Sequence, residues 1–160
     1  ISDSEWLPCL LVRQPYASLI AYGMKRVEFR SYSTRVRGRI GIAASKGPPL
    51  ETLDAHLSTI STRWPRGLVL ATALLADVEY WDNHRLKQYT TRVRDIRIHD
   101  DAIRVYDSPL GEPLTDVDFA AKQSDWRSWV WILEDVRPLG KPHEYFHVGK
   151  STWGKVLIER

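Results

Sequence analysis

Gly23-Met24-Lys25-Arg26-Val27-Glu28-Phe29-Arg30 is the stretch on which the reading of this chain turns. Gly23 is a strong helix stop, because a residue without a Cβ tolerates the left-handed conformation that closes a helix. Beyond it Val27 and Phe29 alternate with Arg26, Glu28 and Arg30, the period of two expected of a strand with one face in a core. This pattern assigns Val27 and Phe29 to the interior and leaves Lys25, Glu28 and Arg30 to face a ligand. Upstream, Leu7–Arg13 is a short apolar run with strand character that ends at Gln14-Pro15, and Pro15 suits the first turn of a helix. Ala17, Leu19, Ile20 and the ring of Tyr16 give that helix its apolar side. It delivers the chain directly to Lys25.

Downstream, Gly38–Ser45 reads as a strand through Ile40, Ile42 and Ala44. Gly47-Pro48-Pro49 punctuates the chain before a helix expected over Leu50–Ile60, with Pro48 or Pro49 able to open it. Trp64-Pro65-Arg66-Gly67 is a turn, and the apolar run Leu68–Tyr80 is the central strand. Residues 82–125 carry the weakest pattern: Arg85–Arg94 has helical character, Ile96–Val105 extended character, and Asp107–Pro113 loop composition. Trp129–Val136 is a clear strand, Pro138–Pro142 a turn and Val156–Ile158 a short last strand. Short strands outnumber helices, so the expected class is α+β, a mixed β-barrel, open or closed, with peripheral helices.

With 160 residues, 43% of them hydrophobic, and no linker-like segment, the whole of 1–160 is expected to be one domain. No apolar stretch approaches the roughly 20 residues of a membrane helix, and no membrane partner is expected. The start, Ile1-Ser2-Asp3-Ser4-Glu5-Trp6, lacks the basic and apolar regions of a signal peptide. The single cysteine, Cys9, lies in the apolar run Leu7–Val12 and reads as a buried thiol rather than a nucleophile or metal ligand. A cytoplasmic location is the corresponding expectation. The net charge of +3 is unevenly spread: residues 1–47 balance to +5 and residues 48–160 to −2. Lys25, Arg26, Arg30, Arg35, Arg37 and Arg39 are opposed in their own segment only by Glu28, the footprint of an anion-receiving surface or of a solvated strand and loop. Seven tryptophans are many for this length, and Trp129 and Trp131 share a face if their segment is a strand. They can be core partners or a stacking platform for a base.

Arg13-Gln14-Pro15-Tyr16-Ala17 followed by Gly23-x-Lys25-x-x-Glu28-x-Arg30 resembles the ASCH domain, a branch of the PUA-like superfamily. Gly38–Ser45, Pro65-Arg66-Gly67, Ala76-Asp77-Val78, Trp131-x-Leu133-Glu134-Asp135-Val136 and Gly149-Lys150-Ser151-Thr152-Trp153-Gly154 are similar to further family segments in the same order. The resemblance leaves residues 82–125 poorly matched, as a family-variable insertion would be. It implies a PUA-like β-barrel with a cleft beside the first helix and the Lys-Glu-Arg strand, and RNA or a modified nucleobase as ligand. Some small members of the family are amidohydrolases that remove acetyl from N4-acetylcytidine, some are ribonucleases and others are binding modules. The amidohydrolases carry Lys-x-x-Thr with a separate carboxylate; here Glu28 stands where the nucleophilic Thr would be.

The leading expectation is therefore RNA or single-stranded nucleic-acid binding in a basic cleft around Lys25, Glu28 and Arg30, with DNA a further possible ligand. The alternative is a metal-independent hydrolase, an amidohydrolase or ribonuclease, with Lys25 and Glu28 catalytic. A buried Lys25 among apolar walls would lose its proton and act as a base, whereas an exposed one would bind phosphate. Glu28 can accept a proton or simply pair with Lys25 or Arg30. Arg13, Arg30 and Arg39 are candidates for phosphate, Gln14 for a base edge, Trp129 for stacking and Ser45 for the wall of the cleft, with Ser31 and Ser33 as other nearby hydroxyls. No cofactor is implied. His143-Glu144-Tyr145-Phe146-His147 spells H-E-x-x-H, a zinc-hydrolase signature when helical. Pro142 before it and Gly149 and Gly154 after it leave no room for such a helix.

Overall fold

A computed structural model describes residues 3–52, 54–89, 96–98, 103–105, 116–149 and 152–159. Strand β1 (Ser4–Val12) leads through Gln14-Pro15 into helix α1 (Tyr16–Ala21), and Gly23, at φ +79°, turns the chain into β2 (Val27–Arg30). The Gln14 side chain organises this corner. Its carbonyl accepts from the Ser18 backbone N–H at 3.0 Å, and its amide donates to Ser18 Oγ at 2.7 Å and to the Pro65 carbonyl at 2.9 Å. A fully buried amide needs such partners, and here they tie α1 to the Trp64–Gly67 turn.

After β3 (Gly38–Ala44) comes α2 (Ala55–Ile60), shorter than the helix expected over Leu50–Ile60. Asp54 is the reason: its carboxylate accepts from Leu57 N and caps the helix there. A turn of 3-10 helix (Ser61–Arg63) leads to β4 (Leu68–Asp82), which runs into α3 (Asn83–Gln88). Within the weakly patterned stretch, β5 (Ile96–Ile98) and β6 (Ile103–Val105) form a separate antiparallel pair. Residues 107–113 lie outside the described residues. Next follow α4 (Asp116–Ala121), β7 (Arg127–His143), β8 (Phe146–His147) and β9 (Trp153–Glu159).

Seven strands form one mixed sheet in the order β2-β7-β4-β3-β1-β9-β8, with β1 and β3 parallel and the other pairs antiparallel. The architecture is α+β with short helices, as expected, and the backbone ladder is not closed. Strands far apart in the ladder nevertheless meet through side chains. Arg30 on β2 donates to the Leu11 carbonyl on β1, Trp131 on β7 stacks on Trp153 of β9 with centroids 5.7 Å apart, and Tyr32 hydroxyl bonds Thr152 hydroxyl. The sheet curls, and a side-chain seam bridges β2 and β7 to β1 and β9.

The expected turn at Pro138–Pro142 is instead part of β7. Pro138 faces Ala71 where the β4–β7 register shifts, so its missing N–H falls at an irregular point of the ladder. Asp135, at φ 46°, sits at another such irregularity. Two apolar layers flank the sheet. Leu10, Val12, Ile40, Ile42, Val78 and Trp131 pack with α1 on one side, and Val27, Trp81, Leu86, Val117 and Val130 join α3 and α4 on the other.

Candidate functional site

β2 alternates as its sequence requires. Val27 enters the α3–α4 layer with Phe29 partly buried beside it, and Glu28 and Arg30 lie on the opposite face. That face is covered rather than open: Lys25 is 1% exposed and Glu28 5%. Lys25 Nζ lies 2.9 Å from Glu28 Oε1 and 3.3 Å from Asp116 Oδ2, while Arg30 Nη2 meets Glu28 Oε2 at 2.9 Å. The Lys25 ammonium also sits 5.2 Å from the Tyr16 ring centre and 5.3 Å from that of Phe29. Two cations and two carboxylates thus form a chain, Asp116–Lys25–Glu28–Arg30, sandwiched by rings.

Burial would by itself drive Lys25 to lose its proton, but the Asp116 and Glu28 carboxylates outweigh burial and hold its pKa above the ordinary lysine value. Burial would raise Glu28, and the adjacent Lys25 and Arg30 charges instead hold it below the carboxylate range. Asp116 is pushed up, by burial first and by the nearby Glu28 charge, against the pull of Lys25. Lys25 is therefore an ammonium and Glu28 a carboxylate, each held by its neighbours. A base role for Lys25, which needs a lowered pKa, has no support in this geometry.

The other residues expected at the site separate. Gln14 is engaged as described above, and Arg13 places its guanidinium on the Pro48 carbonyl at 2.6–3.0 Å. Arg39 is held on Asp135, donating to its carbonyl at 2.8 Å and pairing with its carboxylate, which Arg137 also meets. Arg37 lies 3.6 Å from Asp77. Acids from residues 48–160 thus pair with cations of residues 1–47, and the charge asymmetry along the chain is reduced in space. Ser45 keeps its Oγ buried without a hydrogen-bond partner among the described residues, as does Arg30 its Nε.

Trp131 is fully buried and donates its indole N–H to the Tyr32 carbonyl, so it is a core residue. Trp129 is partly buried. Register places Arg30, Trp129 and Tyr80 side by side across β2, β7 and β4, and the Tyr80 ring lies 5.3 Å from that of Trp129. Tyr80 is 60% exposed. Sequence reasoning missed Tyr80 and Asp116. The alternation Val78-x-Tyr80 in the central strand was a signal for the first, whereas Asp116 lies in the stretch without a readable pattern.

The H-E-x-x-H segment is not helical. His143 ends β7 and His147 lies in β8, so the imidazoles do not share a helix face and the zinc-hydrolase reading fails. Among the described residues no group of three or more His, Cys, Asp or Glu side chains gathers as a metal site, and no helix is long and apolar enough to cross a membrane. Cys9 is buried, and burial pushes its thiol up to about 11, the behaviour of a packing residue.

An α+β domain built on a curled mixed sheet, with a buried chain of alternating charges beneath its first helix, is the class these features define. The ASCH domain pattern matches residues 10–143, most of the chain, and the protein belongs to the ASCH domain family. Among curated proteins it is similar to human activating signal cointegrator 1, 53% identical over 47 residues, and to the mouse protein, 51% identical over 47 residues. In each case the match covers 29% of this chain and only 8% of the relative. The chain is also similar to the solved ASCH protein of Zymomonas mobilis, at 17% identity and TM-score 0.48 over 96% of this chain and 86% of that one. A mutant form of that protein gives 16% identity and TM-score 0.49 over 100% and 91%.

Proposed function

We propose that this domain binds RNA or single-stranded nucleic acid on the face where β2, β7 and β4 lie side by side next to α1. The observation that carries this reading is the cross-strand row Arg30–Trp129–Tyr80, one cation and two partly or largely exposed rings at neighbouring register positions. Unpaired bases stack on aromatic faces whatever their sequence, and guanidinium groups take the phosphates between them. The buried chain Asp116–Lys25–Glu28–Arg30 supports the row from below, since Glu28 fixes the Arg30 guanidinium at 2.9 Å. Residues of the row are the binding residues in this reading, and Glu28 orients Arg30.

Fluorescence anisotropy with a labelled single-stranded RNA and the matching DNA, across a salt series, tests it. Affinity should fall steeply with salt as phosphate contacts release counterions. Tyr80→Ala and Trp129→Ala should each weaken binding by about 1–3 kcal/mol, the value of one stacked base. Failure of the protein to bind either strand at low salt, or unchanged affinity in both variants, would refute the proposal.

A further inference from the structure

Resting on the nucleic-acid reading, we propose that Lys25 is a phosphate subsite and that Asp116 occupies it in the free protein as an internal stand-in for a phosphodiester. Three observations carry this. Glu28 is held from both sides, by Lys25 and Arg30 at 2.9 Å each, whereas Asp116 meets Lys25 alone among the described cations, at 3.3 Å. The Asp116 Oδ1 is buried without a hydrogen-bond partner among the described residues, and beside Lys25 the carboxylate has the Val117 backbone N–H as its polar neighbour. The Asp116 side chain is also the more exposed of the pair, 25% accessible against 1% for Lys25.

Charge matches as well. Lys25 and Arg30 balance Glu28 and Asp116, and a phosphodiester carries the single negative charge that Asp116 would withdraw. Asp116 is the first residue of α4, whose other end is held by Asn83 donating to the Ala120 and Ala121 carbonyls. Rotation of the Asp116 side chain away from Lys25 gives up that ion pair and the Val117 N–H contact and leaves Val117 and Ala120 packed. Binding of the backbone phosphate and the Asp116 contact are mutually exclusive, which lowers the apparent affinity by the fraction of molecules that are open.

The test measures binding of a labelled single-stranded RNA to wild type, Asp116→Asn, Asp116→Asn/Lys25→Met and Glu144→Gln. Glu144 is an exposed acid beside β8, so its variant removes the same charge elsewhere. Asp116→Asn should bind about tenfold tighter or more, since a minor open state is typically below about 10% populated. The gain should vanish in the double variant, whose salt slope should be shallower by about 0.7. Glu144→Gln should stay within about twofold of wild type. Where Asp116→Asn melts without cooperativity, Asp116→Ser, which keeps a small polar side chain in the first turn of α4, replaces it. Wild-type binding with no gain in the Asp116 variant, a gain of equal size in Glu144→Gln, or a gain that survives Lys25→Met would overturn the stand-in while leaving nucleic-acid binding intact. Absence of binding in every protein would remove both.

Discussion

Glu28 is shared by two cations while each cation has further company, and this asymmetry orders the cost of removing them. Glu28→Gln leaves Lys25 with Asp116 as its remaining carboxylate and Arg30 with none among the described residues, in a buried site. Loss of one partner from a buried pair costs about 3–5 kcal/mol. Lys25→Met leaves Glu28 still paired with Arg30 and Asp116 with a quarter of its side chain exposed, so it should cost less than Glu28→Gln in chemical denaturation. An equal or reversed order would show that the charges are not coupled as described. The same groups set the pH response. Glu28 is depressed in the folded protein, so its stabilisation is present above the ordinary carboxylate range, near ~4.3, and is lost as pH falls through its lower folded pKa. Lys25 is raised, so its contribution is complete below the ordinary lysine value and is lost as pH rises through the folded one. Melting temperatures recorded across acid pH should fall less steeply in Glu28→Gln than in wild type. Residues 23–30 announced Lys25, Glu28 and Arg30 through their spacing, but not that they are buried, because burial depends on what covers the strand.

At the scale of elements, local signals succeeded where one strand or helix decides its own form. Gly23 and the alternation after it placed the end of α1 and the whole of β2. They failed where a neighbour decides: β7 continues through Pro138–Pro142 because β4 lies alongside to pair with it, and α2 starts late because Asp54 caps it. Gln14 was a candidate reader of base edges, and its amide is instead spent on Ser18 and Pro65, contacts 51 residues apart in the second case. Close packing between elements gives a direct test at Gly154 on β9. A Cβ there would lie 2.8 Å from the Phe146 carbonyl oxygen and 3.0 Å from Cys9 Sγ. Gly154→Ala should destabilise by about 1–3 kcal/mol, the range for overpacking a filled interior, with denaturant midpoints as the measure.

For the whole molecule the decisive feature is a seam made by side chains where the ladder does not close. Tyr32→Ala removes the Tyr32–Thr152 hydrogen bond and the edge contact of Tyr32 with Trp131, whose centroids are 5.8 Å apart. Amide hydrogen exchange should quicken in β2 and β9 and stay unchanged in the β3–β4 ladder; uniform protection in all four strands would show that the seam carries no load. The alternating and apolar patterns by themselves determined the α+β class, the strand–helix–strand opening and the residues of the Lys-Glu-Arg segment, because hydrophobic periodicity is a property of adjacent positions. Only the tertiary structure decided that Arg39 and Arg37 are paired with Asp135 and Asp77, that Tyr80 joins Arg30 and Trp129, and that Asp116 reaches Lys25. Electrostatic energy and packing depend on distance in space, and residues far apart in the chain become neighbours only once the sheet has curled.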